Sequence, residues 1–154
     1  MINLKKIIRE DSILLHVAHC EKTELIKKML DILTRTKRVK NSELALFDLL
    51  EREKKMSTGM EHGIAFPHAK TDAVDKLVSS VALVPDGVNF KALDGYPSYI
   101  FIMVLSPRNK TGPHIEFIAS VASLLKTEQV RESLLHARTK KDVITTLTAA
   151  HGRK

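Results

Sequence analysis

Tyr99-Ile100-Phe101-Ile102-Met103-Val104-Leu105 is the longest apolar run in the chain. It has strand length and falls well short of the roughly 18 residues that suggest a membrane span. An apolar run without alternation is expected of a central strand covered on both faces. Such a strand needs helices above and below its sheet, and the flanking sequence supplies them. Upstream, Leu77–Val84 reads as a strand stopped by Pro85-Asp86-Gly87, and Gly63–Phe66 as a short strand stopped by Pro67. Ser57-Thr58-Gly59 reads as a turn.

Further upstream, Leu25, Met29 and Leu33 recur at i, i+4, i+8, with Ile26 and Leu30 beside them. That period predicts a helix from about Lys22 to Arg35. The cations Arg35, Lys37, Arg38 and Lys40 close it, where they suit the helix dipole. A second helix opens with Ser42 as N-cap and turns Leu46, Phe47, Leu49 and Leu50 inward. It ends in Glu51-Arg52-Glu53-Lys54-Lys55. Ser12–Val17 reads as a first strand, and residues 3–9 as a short helix. Downstream of the central run, Ile115, Ile118, Ala119, Ala122 and Leu125 mark one helical face. Val130, Leu134 and Leu135 mark the next helix. Thr139-Lys140-Lys141-Asp142 resembles a capping box and opens a last helix bearing Val143, Ile144 and Leu147. The expected architecture is α/β: a three-layer sandwich, its mixed β-sheet flanked by helices on both faces, in a single domain over 1–154.

Composition agrees with that outline. The 154 residues are 44% hydrophobic and 28% charged, with a formal charge of +7. This describes a globular chain of a size that buries a core without staples. The single Cys20 forms no intrachain disulfide and fits a reducing compartment. The N-terminal segment is too short and too charged for a signal sequence, so a cytoplasmic location is expected. The basic run Arg35–Lys40 raises a nucleic-acid-binding alternative. No nucleic-acid motif accompanies it, and aromatics are only 5%, too few for a stacking platform.

Seven histidines are present, and five have bland readings. His136 sits near a helix C-terminus, which favours His. His151 lies in the tail, His16 and His19 near the first strand's end, and His62 in a loop. His68 follows Pro67 at an abrupt strand end, a place where a rigid backbone presents a side chain. His114 follows Gly112-Pro113 just before the helix beginning at Ile115, where free N–H groups favour an anion. With Arg52 on the helix before the Ser57–Gly59 turn, these two make a candidate phosphoryl site. The blander reading is a capping His and a solvated Arg. A metal site at His62, His68 and His114 is a further alternative, but the spacing of His62 and His68 matches no ligand motif.

The stretch Ser57-Thr-Gly-Met-Glu-His-Gly-Ile-Ala-Phe-Pro-His-Ala69 resembles the active-site signature of fructose/mannitol-type enzyme IIA domains of the bacterial phosphoenolpyruvate–sugar phosphotransferase system. Phe66 departs from the aliphatic residue usual there and narrows the approach to His68. Gly112–Leu125 resembles the family's second histidine segment, Glu51-Arg52-Glu53 its arginine segment, and Gly87–Gly95 its middle. The likeness runs from about residue 5 to 148.

The resemblance implies that His68 accepts a phosphoryl group from the carrier HPr. It then passes the group to the IIB domain of a sugar permease, with no cofactor. It implies assisting roles for His114 and Arg52, and places Thr58, Gly59 and Gly63 around the phosphate. An imidazole with a pKa near 6.5 is largely neutral at cytoplasmic pH and so nucleophilic. Arg52 would meet the oxygens with its planar donor fork, and no metal is then needed. Nitrogen-regulatory IIA proteins share the signature but control partner proteins through their phosphorylation state, so regulation stands as the alternative to transport.

Overall fold

The computed structural model describes residues 2–151. Met1 and residues 152–154, included in the expected domain, lie outside the described residues. The helices are α1 (Leu4–Ile7), α2 (Lys22–Arg35), α3 (Ser42–Lys55), α4 (Thr111–Leu125), α5 (Glu128–Leu135) and α6 (Lys140–His151). The strands are β1 (Ile13–Leu14), β2 (Ile64–Ala65), β3 (His68–Lys70), β4 (Val78–Val88) and β5 (Ser98–Ser106).

The sheet order is β1-β4-β5-β2, with β3 also paired to β5. β4 and β5 are antiparallel, whereas β1 on β4 and both β2 and β3 on β5 are parallel. The apolar run is therefore the middle of a mixed sheet, as expected. Its residues divide by parity. Phe101, Met103 and Leu105 pack with Leu25, Met29, Leu33, Ala45 and Leu49 of α2 and α3. Ile100, Ile102 and Val104 pack on the other face with Phe117, Val121, Leu134, Val143 and Leu147 of α4, α5 and α6. Two cores with one sheet between them are the expected three-layer sandwich. Among the described residues, no helix is long and apolar enough to cross a membrane.

Several elements differ from the sequence reading. β1 shrinks to Ile13–Leu14, since Ser12 closes a 3-10 turn over Glu10–Ser12. The N-cap of α3 is Asn41, whose side chain accepts from the Leu44 N–H, and Ser42 is the first helical residue. Phe47 is 60% exposed, and Ala45 takes the inward position instead. β4 does not stop at Val84. A register shift between Leu83 and Val88 accommodates Pro85-Asp86-Gly87 as a bulge, and pairing resumes at Val88 opposite Ser98.

Two differences bear on the histidines. Pro67 interrupts its strand without ending it. Ile64 faces Ile100 and His68 faces Val104, so the register is the same on either side. His68 thus opens β3 and lies along the edge of β5. α4 begins at Thr111, taking Gly112 and Pro113 into its first turn, where a proline costs no helical hydrogen bond. His114 is therefore inside the helix, on its buried stripe with Phe117, Val121 and Leu124. Ile115 lies outside that stripe and is 59% exposed.

Candidate phosphoryl-transfer site

The parity of β2 and β3 sets the direction of His68. Ile64 and Phe66 belong to the α4-side core, Ala65 and Ala69 to the α3-side core. His68 shares the parity of Phe66 and projects towards α4, where His114 meets it. The two rings lie 5.4 Å apart between centroids, inclined at 56°. The structure thus brings together the two histidines singled out in the sequence.

Each ring is oriented by one hydrogen bond. The His68 Nδ1 lies 2.7 Å from the Phe66 carbonyl oxygen. A carbonyl only accepts, so Nδ1 carries the proton and the neutral ring keeps its lone pair on Nε2. The His114 Nδ1 is bonded to the hydroxyl of Ser106, the last residue of β5. Burial lowers the His68 pKa, and Arg52 adds to that, while the Phe66 bond and Glu53 act in the opposite sense. Burial also brings His114 down to about 4, helped by the positive charge of His68 and of Lys70. Both rings are neutral at pH 7.

Arg52 stands on the last turn of α3. Its Nη1 donates to the Met56 carbonyl at 2.8 Å, which satisfies a helix-end acceptor. One of five N–H donors is thereby used, and the charge still reaches His68. Thr58 and Gly59 are buried beneath this helix end. The Thr58 carbonyl accepts from the Phe66 N–H at 3.1 Å, and Gly59 bridges Ala65. A Cβ on Gly59 would lie 2.9 Å from Ala92, so that approach requires glycine. Gly63 has φ +73° and packs against the Tyr99 ring. These three residues shape the chain leading to His68.

His62 is exposed in a 3-10 turn beside Glu61. Among the described residues, no three His, Cys, Asp or Glu side chains gather to hold a metal. His136 follows α5 and bonds the Glu132 carbonyl through Nδ1, as a helix C-terminus invites.

Three neighbours were not read from the sequence. Ser106 ends an apolar strand and carries no motif. Lys70 alternates with His68 along β3, a period-two signal, and its Nζ donates to Thr111 Oγ1 at 2.8 Å. Glu53 was read only as part of the Glu51-Arg52-Glu53 segment, with no role of its own, yet it is 9% exposed. It continues the buried stripe Ala45, Leu49 at i+4, and a carboxylate in such a stripe demands partners.

An interrupted edge strand presenting one imidazole, a second histidine facing it from α4 and an arginine at the end of α3 make up the candidate site. Residues 6–150 match the model of the family "Phosphoenolpyruvate-dependent sugar phosphotransferase system, EIIA 2". The chain belongs to that family. It is 38% identical over 118 residues to the PTS system fructose-specific EIIA component of Haloferax volcanii, covering 77% of each. Nitrogen Regulatory Protein IIA-Ntr from Neisseria meningitidis has a similar structure, with TM-score 0.88, 28% identity and coverage of 94% of this chain and 99% of that one. The IIA chain in a complex of enzyme IIAMTL and phosphorylated enzyme IIBMTL from Escherichia coli matches at TM-score 0.80 and 26% identity, covering 92% and 96%.

Proposed function

We propose that the protein is a cytoplasmic histidine phosphocarrier, residues 1–154 forming one EIIA domain. It takes a phosphoryl group from phospho-HPr onto His68 Nε2 and hands it to the IIB component of a fructose/mannitol-type permease. One observation carries this reading: the Phe66 carbonyl holds the Nδ1 proton and leaves Nε2 as the free nucleophile.

In the first half-reaction, the Nε2 lone pair attacks phosphorus and the P–N bond to the HPr histidine breaks. The His68 ring gains positive charge as the bond forms, and its Nδ1–H···O=C contact strengthens. Catalysis of phosphoryl transfer is mainly positioning and stabilisation of oxygen charge. With the Ser106 hydroxyl donating to Nδ1, neutral His114 keeps a proton on Nε2 and donates it as a hydrogen bond to a phosphoryl oxygen. Arg52 offers its remaining N–H donors to the other oxygens. Onward transfer repeats the displacement with a IIB nucleophile.

The IIA–phosphorylated IIB complex among the similar structures supports IIB as the recipient. The likeness to IIA-Ntr supports a second reading, in which the phosphorylation state governs regulatory partners through the same site. Reconstitution with enzyme I, HPr, phosphoenolpyruvate and a IIB protein tests the first. Phosphorylation of IIB that depends on adding this protein is expected. A protein that charges from phospho-HPr yet passes nothing to fructose- or mannitol-type IIB would favour the regulatory reading.

A further inference from the structure

We propose that Glu53 is a positioning residue for phosphoryl transfer at His68, acting through Thr58 and Phe66 and itself held by Lys22. This rests on the reading of His68 as the phosphoryl acceptor. The carboxylate is buried and fully engaged. Its Oε1 lies 2.8 Å from Lys22 Nζ and accepts the Thr58 N–H at 2.7 Å. Its Oε2 accepts the Thr58 hydroxyl at 2.7 Å. Lys22 in turn donates to the Phe90 carbonyl at 3.0 Å and stands 4.6 Å from the centre of the Phe90 ring. The Ser57 hydroxyl donates to that same carbonyl at 2.6 Å, and the Gly59 N–H donates to Ser57 Oγ at 3.0 Å. The Ser57–Gly59 segment, expected as a turn but bridged to Ala65 through Gly59 instead, is thereby clamped from α2, α3 and the segment after β4.

The clamp continues to the imidazole. The Thr58 carbonyl receives the Phe66 N–H, and the Phe66 carbonyl receives the His68 Nδ1–H. An unbroken run of hydrogen bonds therefore joins Lys22 to the ring. It fixes both the tautomer and the direction of Nε2. Stability alone gives little reason for a buried carboxylate here, since its partner Lys22 keeps 21% of its side chain exposed. An apolar residue of similar volume in its place usually serves a fold at least as well, because the carboxylate must be desolvated. What the charge does is aim the Phe66 carbonyl and place one negative group near a ring that becomes cationic during transfer. The charged and titratable groups bearing on His68 are Arg52 and Glu53 from α3 and His114 from α4, with Lys70 on its own strand facing His114.

The test compares wild type, Glu53→Gln, Thr58→Val and Thr58→Ser. It uses transient kinetics of phosphoryl uptake from phospho-HPr and nitrogen-15 NMR of the His68 ring. Glu53→Gln and Thr58→Val should lower the limiting uptake rate about 10- to 100-fold, as loss of sub-ångström alignment does. The half-saturating phospho-HPr concentration should stay unchanged. The ring should shift from one neutral tautomer to a mixture, and Thr58→Ser should restore both readings. In Glu53→Gln the acid limb of the rate profile should move to lower pH, because the carboxylate that favours the protonated ring is gone. Wild-type rates with a single tautomer in folded Glu53→Gln would overturn the proposal, as would a fall in melting temperature with the tautomer unaltered. If Glu53→Gln does not fold, the same readings on Thr58→Val decide. If the wild type accepts no phosphoryl group, the functional reading fails. The tautomer in the variants then still decides whether Glu53 positions the ring.

Discussion

Acidification should destabilise the protein through His114. The ring is 5% exposed, and burial, His68 and Lys70 bring its pKa to about 4 in the folded state. In the unfolded chain it titrates near 6.5. Between these values the unfolded state binds more protons than the folded one, so stability falls as pH falls. The loss begins below about pH 6.5 and saturates near pH 4, where both states are protonated. The full span corresponds to about 3 kcal/mol, and about 2 kcal/mol of it is lost between about pH 7 and about pH 5. For a chain of this size that lowers the melting temperature by about 4–8 °C. Urea unfolding at several pH values, on wild type and His114→Gln, measures it. The variant should lack most of the slope, whatever its stability at neutral pH. His68 shifts in the same direction, so a shallow slope remains in the variant. Equal slopes in the two proteins would refute the argument that burial keeps His114 neutral.

Arg52→Lys should keep the fold and the charge, yet slow phosphoryl transfer. A charge-assisted contact of about 1.5–3 kcal/mol felt in the transition state corresponds to roughly a 10- to 150-fold fall in rate. Stopped-flow rates beside thermal melts check this, and wild-type rates would reduce Arg52 to a helix-end cap. His114→Ala should still accept a phosphoryl group, more slowly, while transfer to IIB drops further. Measuring the two half-reactions separately decides whether His114 assists, and wild-type behaviour in both would remove it from the site.

The layers were legible because hydrophobic pattern dominates them. The run 99–105 located the central strand, and Leu25, Met29 and Leu33 placed α2 with its observed bounds. Thr139 and Asp142 form the reciprocal cap that their spacing suggested. What escaped is tertiary. The phase of α4 was misjudged because its buried stripe includes a histidine, and because the helix was started at Ile115, after Gly112-Pro113, whereas those two residues form its first turn. Proline was twice taken as a terminator. At Pro85 a bulge absorbs it, and beyond Pro67 the pairing with β5 resumes in the same register. Within the site, His68 and His114 are visible because titratable residues beside Pro and Gly stand out. Ser106 and Glu53 do not, since their importance lies in what they touch across the fold. Glu53 carries a readable hint, a carboxylate in a buried stripe, but its partner Lys22 is remote in sequence.

The account turns on one atom, Nε2 of His68. The most direct measurement is to phosphorylate the protein with enzyme I, HPr and phosphoenolpyruvate. Intact mass then gives the number of groups bound, and nitrogen-15 NMR the nitrogen that carries the phosphorus, with His68→Ala in parallel. One acid-labile phosphoryl group on His68 Nε2, absent from the variant, is the expected result. A phosphoryl group on His114 or on His68 Nδ1, or full labelling of His68→Ala, would contradict it.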